Sequence, residues 1–225
     1  MAKGKKDSAR GAKAALNRRV IAEAALTLID RDGLEALSMR QLGAMLGVEA
    51  MALYHHFQNK GELLDAVQEL LFEEIEAASP PGPPPMQRLR TMFAGSRHVA
   101  IRHPRAYLLV PTRRFRTKAA LEFYERLLQV FHDAGLGDEA SARYFRVLAG
   151  FATGASLAEI GSRAQQPHAT PVILETFADI PNFPRVSAVV PFLQVAKLGR
   201  IFDFGLDLIF GAMQGEIAAE AERKR

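Results

Sequence analysis

Cysteine is absent from this chain of 225 residues. Without thiols the protein can form no disulfide bond, no thiolate zinc site and no cysteine nucleophile. Long apolar runs are absent too. No stretch approaches the roughly 18 uninterrupted apolar residues of a membrane-spanning helix, and no apolar signal-peptide segment follows the basic N-terminus. These absences predict a cytoplasmic protein with no membrane partner.

The sequence motifs of several enzyme classes are missing as well. The chain contains no G-x-S-x-G motif, no P-loop, no H-E-x-x-H motif and no dinucleotide fingerprint. The segment Gly150–Gly154 lacks both the serine and the preceding strand of a nucleophile elbow. We therefore predict no catalytic residue, no cofactor and no metal site, although an all-helical lyase or transferase is formally compatible with the sequence.

Charge is present but unevenly distributed. The net charge of +4 arises in residues 1–60, where ten Lys or Arg face six Asp or Glu, while residues 61–225 carry nineteen of each kind. A basic arm with only Asp7 opposing it is formed by Lys3, Lys5, Lys6, Arg10, Lys13, Arg18 and Arg19. Such an arm favours phosphate contact through counterion release. A merely solubilising, disordered tail is the alternative.

Residues 38–60 have the pattern of two short helices joined by a glycine turn. Ser38 can cap the first helix, because its hydroxyl can accept a backbone N–H that has no helical partner. Gly47 ends that helix, since glycine adopts a left-handed backbone at little cost. Leu53 and Phe57 anchor the second helix, which leaves its other face free to enter a major groove. The pattern predicts a helix-turn-helix, although similar helix pairs occur in folds that never touch DNA.

Helical periodicity predicts further helices on both sides of this motif. One runs from a cap at Asn17 to Gly33, and another begins at Asn59 and runs to about Ala78. The proline-rich segment 79–85 cannot continue a helix and is predicted to be a semi-rigid linker. No convincing strand follows. A loop with short helices is expected between residues 162 and 196, and longer helices over residues 86–103, 105–110, 117–134, 138–161 and 197–222.

The segment Leu53–Leu64 closely resembles the DNA-binding domain of the tetracycline repressor (TetR) family. The resemblance is strong over residues 17–75 and looser beyond, where Phe202–Ile209 and the general layout are similar to the family's regulatory domain. It implies an all-α protein with an N-terminal three-helix helix-turn-helix domain and a larger helical domain for ligand binding and dimerisation. The implied parts are a basic flexible arm at 1–16, a DNA-binding domain at 17–62, a connecting helix at 63–78, the linker at 79–85 and the larger domain at 86–225.

The resemblance also implies a function and a set of DNA contacts. It implies a repressor that a small-molecule inducer releases from a near-palindromic operator in double-stranded DNA. By position, Arg40 resembles a base-contacting arginine, whose guanidinium can bind guanine O6 and N7. Lys60 matches a phosphate-contacting lysine at the start of a helix, where an anion is also attracted. The other predicted DNA contacts are Ser38, Ala50, Met51, Ala52, Tyr54, His55 and His56.

Two features of this set limit what can be transferred from the family. Its alanines and methionine replace polar residues of the tetracycline repressor, so they can contact thymine methyl groups but form no hydrogen bonds. The operator sequence therefore cannot be carried over. The two adjacent histidines do not make a metal pair, because neighbouring helical residues point about 100° apart.

The two C-terminal helices are rich in small residues. Glycine costs about 1 kcal/mol inside a helix, so repeated glycines in a strong helical pattern indicate close packing of helices. That packing could lie within one chain or involve a partner. By the resemblance, residues 138–161 and 197–222 of two chains form a four-helix bundle. The resulting homodimer would place two recognition helices on a near-palindromic operator.

The phenylalanine-rich region after residue 85 is interpreted as a sensor for a small molecule. A pure dimerisation body, as in a DNA-architectural protein without a ligand, is the alternative. The tetracycline repressor holds a magnesium–drug complex with histidine and asparagine side chains, whereas approximate alignment places Glu76, Met92, Ser96 and Val110 there. We therefore predict an apolar inducer that binds without a metal. The residues predicted to line its pocket are Met92, Ser96, Val110, Phe131, Phe151 and Phe177.

Overall fold

The computed structural model describes residues 16–113, 115–165, 182–189, 192 and 197–223. These residues form ten α-helices and one short 3-10 helix, and they contain no β-strand. The predicted all-α class is thus confirmed. The predictions for the basic residues within 1–15 and for Phe177 lie outside the described residues.

Two compact units divide the chain, Met1–Leu70 and Leu71–Arg225. The boundary falls inside a helix that begins at Lys60 and ends at Ala77. We call the first the small unit and the second the large unit. No helix in the described part of the chain is long and apolar enough to cross a bilayer.

Capping side chains set the helix boundaries of the small unit. Helix α1 spans Arg18–Asp32, α2 spans Met39–Leu46, α3 spans Ala50–Tyr54 and α4 spans Lys60–Ala77. The Asn17 Oδ1 atom accepts the Val20 N–H at 3.0 Å, and the Ser38 Oγ atom accepts the Gln41 N–H at 3.2 Å. Each cap satisfies a backbone donor that the helix leaves without a partner. The predicted starts of α1 and α2 are confirmed.

The core of the small unit comes from one apolar face of each helix. Burying each such side chain contributes roughly 1.5–3 kcal/mol, because apolar surface leaves water. The residues with no exposed surface are Ile21, Ala25, Ile29, Leu42, Leu53, Phe57, Leu63 and Val67. The predicted anchors of the second motif helix, Leu53 and Phe57, are therefore confirmed as core residues.

In the large unit α5 spans Pro85–Arg102, α6 spans Leu109–Thr112 and α7 spans Lys118–Asp133. Helix α8 spans Asp138–Gln165, α9 spans Pro184–Val189 and α10 spans Leu198–Arg223. Helix α5 packs against α7, α8 and α10, and α8 packs against both α7 and α10. The core therefore forms around α5.

One predicted helix, over residues 105–110, is wrong in its placement. Helix α5 ends at Arg102, residues 104–108 form turns, and α6 begins only at Leu109. Pro104 explains the early stop, because a proline disfavours helical geometry in the residue before it. Pro111 is tolerated in α6, since the first turn of a helix needs no N–H donor there.

Candidate DNA-reading surface and effector cavity

The turn between α2 and α3 is fixed by two glycines. Gly47 has φ 67° and ψ 36°, the left-handed conformation that its position was predicted to require. A Cβ atom at Gly43 would lie 2.8 Å from the Val48 carbonyl oxygen and 3.3 Å from the Ala50 amide nitrogen. Gly43 thus lets the backbones of the two helices approach closely. Sequence reasoning used Gly47 but missed Gly43, which has an ordinary helical position in α2.

Helix α3 presents the side chains predicted to read DNA on its outer surface. Met51 is 69% exposed, Tyr54 is 44% exposed, and His55 is exposed just after the helix. The remaining predicted positions on this segment, Ala50, Ala52 and His56, are half-buried. The apolar inner side of the same helix is sealed by the core, so its outer face is available to a groove.

Arg40 and Lys60 differ in whether their side chains already form hydrogen bonds within the protein. Arg40 is exposed on α2, and within the described residues its guanidinium has no hydrogen bond or ion pair. Lys60 is exposed at the start of α4, where its Nζ atom donates to the Leu34 carbonyl oxygen at 3.3 Å. Ser38 is exposed and serves as the cap of α2. Of these two cations, Arg40 is therefore the one whose side chain is uncommitted within the described residues.

Arg18 and Arg19 belong to helix α1 rather than to the basic arm in which the sequence analysis grouped them. The Arg18 Nη1 atom donates to the Glu62 Oε1 atom at 2.7 Å, and the Arg19 Nε atom donates to the Glu23 Oε1 atom at 2.9 Å. The reason is that both arginines lie in the first helical turn, within reach of acidic partners. Local charge along the sequence does not reveal Glu62, which lies 44 residues after Arg18, although Glu23 lies only one helical turn after Arg19.

These pairings change where the positive charge of the small unit is found. Residues 16–70 contain five Lys or Arg and eight Asp or Glu. Three of those five cations lie in ion pairs, namely Arg18, Arg19 and Arg31. The excess of positive charge in the sequence therefore resides in residues 1–15, with Lys3, Lys5, Lys6, Arg10 and Lys13.

An apolar cavity of about 50 Å³ lies inside the large unit. Its walls come from α4, α5, the turn before α6, α6, α7 and α8. The lining residues are Phe72, Ile75, Met92, Phe93, Ser96, Tyr107, Val110, Pro111, Phe123, Tyr124, Leu127, Phe145, Ala149, Ala152 and Thr153. The volume is far below the roughly 300–1,000 Å³ of pockets that hold drug-sized ligands. In this conformation the cavity has room for a few small groups only.

The predicted lining residues that the structure describes divide into two groups. Met92, Ser96 and Val110 line the cavity. Phe131 and Phe151 do not: Phe131 packs edge-on against Phe93 at 6.4 Å between ring centroids, and Phe151 packs against Phe202 at 5.4 Å. Both rings are core contacts between helices, which a sequence pattern cannot distinguish from a pocket wall.

Aromatic rings dominate the cavity wall, and four of them, Phe72, Tyr107, Tyr124 and Phe145, were not expected there from the sequence. Phe72 stacks on Phe123 with ring centroids 4.2 Å apart, and Tyr124 meets Phe72 edge-on at 5.5 Å. The Ser96 Oγ atom lies 3.0 Å from the Tyr107 hydroxyl, so these two polar groups satisfy each other. The wall therefore offers stacking surface and very little free hydrogen-bonding capacity.

Glu76, which alignment placed at a ligand position of the tetracycline repressor, does not line the cavity. Its carboxylate pairs with both Nε and Nη2 of Arg126 on α7, the latter at 2.9 Å. That pairing raises the pKa of Arg126 above its ordinary value. The described residues contain no group of three or more histidine or acidic side chains that could hold a metal ion.

A buried ion cluster ties α5 to α8. The Arg97 guanidinium donates two hydrogen bonds of 2.8 Å to the Glu159 carboxylate, and Arg163 donates to it at 2.8 Å and 3.0 Å. Burial raises the pKa of Glu159, but the hydrogen bonds from the two arginines outweigh burial and hold this pKa below its ordinary value. The carboxylate is therefore ionised at neutral pH and stabilises the helix pair.

The outer faces of α8 and α10 carry stripes of small and apolar residues. The α8 stripe is Val147, Gly150, Gly154, Ala158 and Gly161, and the α10 stripe is Ile201, Phe204, Leu208, Gly211 and Gly215, all exposed. Among the described residues, an added Cβ atom at any of these five glycines would meet no atom within 4 Å. Packing within this part of the chain therefore does not explain these glycines.

Polar contacts join α8 to α10, and one glycine of α10 is explained by close packing against α8. The Glu216 carboxylate accepts from the Tyr144 hydroxyl at 2.8 Å and from the Arg143 Nη2 atom at 2.5 Å. A side chain at Gly205 would overlap the Phe151 ring. The stripes thus lie on two helices that the chain itself holds together.

Comparison with known proteins identifies both parts of the chain. Residues 21–67 match the profile described as bacterial regulatory proteins, tetR family, and residues 83–215 match the tetracyclin repressor-like C-terminal domain. The second match alone spans more than half of the chain. The two profiles leave only the ends and a short central segment unmatched.

Individual relatives agree with the family profiles. An HTH-type transcriptional regulator of Saccharopolyspora erythraea is 34% identical over 117 residues, which is 52% of this chain and 50% of that protein. The HTH-type transcriptional repressor DrrR1 of Streptomyces coeruleorubidus is 27% identical over 219 residues, covering 93% of this chain and 81% of its own length. The chain thus aligns with half of the first relative and with most of the second.

Solved structures of ActR, a TetR family protein of Streptomyces coelicolor, share the fold. The complex with (S)-DNPA has a TM-score of 0.68 and 27% identity, covering 91% of this chain and all of that one. The complex with actinorhodin has a TM-score of 0.72 and 24% identity, covering 91% and 99%. The likeness extends over both units.

Proposed function

Because the chain belongs to the tetracycline repressor (TetR) family of transcriptional regulators, we propose that it is a repressor whose homodimer leaves a near-palindromic operator when a small-molecule inducer binds. The observation that carries this proposal is the outer face of α3. That face exposes Met51, Tyr54 and His55 on a helix whose inner side is sealed by the core. A helix of this kind fits a major groove.

For the DNA contacts we propose that Arg40 reads a guanine and that α3 reads the neighbouring bases. Arg40 is exposed and uncommitted within the described residues, so its guanidinium can form two hydrogen bonds with guanine O6 and N7. Met51 and the alanines on either side favour contact with thymine methyl groups. Ser38, Tyr54, His55, His56 and Lys60 are proposed to position the helix on the phosphates and groove edge.

Dimerisation through residues 138–161 and 197–222 is supported by the two stripes. Their glycines have no neighbour within 4 Å in the part of the chain that the structure describes, although glycine destabilises a helix. Close approach of a second copy of the chain would explain why these positions are occupied by glycine. A two-fold axis would set the two α3 helices one DNA turn apart, about 34 Å, which requires an inverted repeat.

The inducer is proposed to be an apolar, largely aromatic molecule that needs no metal. The stacked rings of Phe72 and Phe123 and the self-paired Ser96 and Tyr107 support this chemistry. ActR, which shares the fold, has been solved in complex with actinorhodin and with (S)-DNPA. A drug-sized ligand would have to enlarge the 50 Å³ cavity of this chain.

Enlargement of the cavity supplies a mechanism for release. Phe72 and Ile75, near the end of α4, line the cavity, while Lys60 begins the same helix. A ligand that pushes on the cavity end displaces a continuous helix that starts next to the DNA-reading segment. The ligand shifts the population only as far as it prefers the displaced state.

One experiment tests the DNA-binding part of the proposal. The full chain is used to enrich duplexes from a random-sequence library, and the affinity for the enriched sequence is compared with that for unrelated DNA. We expect an inverted repeat to be preferred by about a thousandfold or more. Equal, salt-dependent binding to all sequences would contradict it.

The sensor part is tested by thermal shift with planar aromatic compounds, with and without magnesium. We expect stabilisation that does not require the metal, and its loss in Ala149→Leu, which fills part of the cavity. Stabilisation strictly dependent on magnesium would contradict an apolar, metal-free ligand. The small cavity volume favours a second candidate, a DNA-architectural dimer without a ligand; equal binding to all sequences, with no compound shift, would support it.

A further inference from the structure

Arg18 lies where three structural parts of the small unit meet. It begins α1, its Nη1 atom donates to Glu62 near the start of α4, and the same atom donates to the His56 carbonyl oxygen just beyond α3. Its guanidinium also lies 4.2 Å above the centre of the Phe57 ring. One side chain therefore contacts the end of the recognition helix and the start of the next helix.

Glu62 closes the same junction from the other side. Its Oε2 atom accepts the Gln58 N–H at 2.8 Å, while its own N–H donates to the Asn59 Oδ1 atom at 2.9 Å. The Gln58 N–H and then Arg18 hold the pKa of Glu62 below its ordinary value. The segment between α3 and α4 is thus fastened by a carboxylate that Arg18 in turn holds in place.

We propose that Arg18 is a positioning residue for DNA reading: acting through Glu62 and the His56 carbonyl, it fixes the orientation of α3 and is not a phosphate contact. This inference rests on the DNA-binding function proposed above. It reverses the interpretation of Arg18 as part of a phosphate-binding arm.

A short recognition helix needs such a fastening. Helix α3 has five residues, and isolated helices of that length are not stable in water. Leu53 and Phe57 bury its inner side but leave rotation about the helix axis to be settled by its ends. A small rotation would move Met51 and Tyr54 away from the base edges, whose readout depends on hydrogen-bonding and van der Waals distances.

An exposed ion pair alone contributes little, since solvent screens it. The Arg18 node differs because one guanidinium joins a carboxylate, a backbone carbonyl and an aromatic face. Arg19 provides a matched control, since it carries the same charge one residue later and pairs with Glu23 inside α1. Removal of Arg19 changes the net charge equally without breaking the contacts of Arg18.

The test measures two affinities for each full-length variant at several salt concentrations. One probe is a duplex with the inverted repeat that the wild type enriches, and the other is a duplex of equal length without it. For Arg18→Ala we expect about a tenfold loss for the repeat, an unchanged affinity for the unrelated duplex and an unchanged salt slope. Arg19→Ala is expected to change the affinity for the repeat by less than twofold at fixed salt.

The variant Glu62→Gln gives the sharpest result, because the two interpretations predict opposite signs. If Arg18 contacts phosphate, removing the competing carboxylate strengthens binding to both duplexes. If Arg18 positions α3, the same change weakens binding to the repeat and leaves the affinity for the unrelated duplex unchanged or slightly higher. The double variant, which combines Arg18→Ala with Glu62→Gln, should then bind the repeat no more weakly than Arg18→Ala alone.

Folding is monitored by circular dichroism at the assay temperature. Should Arg18→Ala unfold, Arg18→Lys answers the same question. A phosphate contact would survive because the charge is kept, whereas the lysine side chain is shorter and lacks the planar guanidinium that lies over the Phe57 ring while Nη1 donates to Glu62 and to the His56 carbonyl. Loss of repeat binding in a folded Arg18→Lys supports positioning.

Several results would overturn the inference while leaving the proposed function intact. These are tighter binding by Glu62→Gln, equal losses in Arg18→Ala and Arg19→Ala, or a salt slope that falls by about one in Arg18→Ala together with equal losses on both duplexes. A wild type that enriches no inverted repeat would instead refute the proposed function, and this inference with it.

Discussion

The glycines around the turn of the small unit and those on the outer faces of α8 and α10 have opposite roles. In the small unit Gly43 and Gly47 are required by contacts inside the chain, one for close approach of two backbones and one for a left-handed turn. In the large unit Gly150 and Gly154 on α8 and Gly211 on α10 meet no atom within 4 Å. The difference teaches that a glycine's meaning depends on whether a side chain there would have a neighbour.

Ion pairs differ between the units in a similar way. The Arg18–Glu62 pair is exposed and links three segments at the end of a five-residue helix. The Arg97–Glu159 pair is buried and links two long helices that are already packed. The first pair therefore concerns orientation of a short element, and the second concerns stability of a core.

The largest expected effect concerns the glycines on the outer faces of α8 and α10 in the large unit. Gly154→Asp would place a carboxylate in the proposed apolar interface, where an unpaired charge costs several kcal/mol. We expect dimerisation to weaken by more than about a hundredfold, at roughly 1.4 kcal/mol per factor of ten. Sedimentation velocity measures it. Ala119→Asp, an equal charge on the outside of α7, should leave the dimer intact, and a dimeric Gly154→Asp would refute the interface.

The next effect tests the small unit. Gly43→Ala forces a Cβ atom against the Val48 carbonyl oxygen, a backbone atom that cannot move aside, and overpacking of this kind costs about 1–3 kcal/mol. Thermal unfolding should show the loss, and operator binding should fall with it. Gly137→Ala, at an exposed glycine with no neighbour within 4 Å, should stay within about 0.5 kcal/mol of wild type. Equal behaviour of the two would contradict the distinction drawn between glycines.

Arg40→Ala sharpens the comparison at the level of DNA. Removing a guanidinium that binds guanine bidentately is expected to cost about 1–3 kcal/mol of operator affinity and to relax specificity at one base pair. The fold should be unaffected, since no partner of Arg40 lies within the described residues. A gel-shift titration measures the change, and unchanged binding would remove Arg40 from the reading surface.

The smallest effect concerns the buried pair of the large unit. The folded-state pKa of Glu159 lies below its ordinary value, so its stabilisation is present above about pH 4.3 and is lost as the pH falls through the folded-state pKa. Glu159→Gln should cost about 1 kcal/mol at neutral pH and reduce the acid sensitivity of unfolding. Denaturant unfolding at pH 7 and at the lowest pH at which the protein stays folded checks this. An identical loss at both pH values would show that charge is not the cause.

The sequence predicted the small unit closely and the large unit in outline. The limits of α1 and α2 could be predicted from Asn17, Ser38 and Gly47, because a cap or a turn depends on a few neighbouring residues. The cavity was predicted only in part: Met92 lines it, whereas Phe131 packs in the core. An apolar ring has the same periodicity in both places, and its neighbour on another helix decides which one it occupies.

By itself, the sequence determined which segments are helical, where they stop and which face of α3 is apolar, since backbone preference and hydrophobic period are local properties. Only the tertiary structure decided that Arg18 meets Glu62, 44 residues away, and that stripe glycines such as Gly154 and Gly211 have no neighbour within 4 Å among the described residues. Both facts depend on atoms that folding brings together or leaves apart. No local sequence pattern gives the distance from an arginine to its partner. That distance distinguishes Arg18, which pairs with Glu62, from Arg40, which has no partner among the described residues.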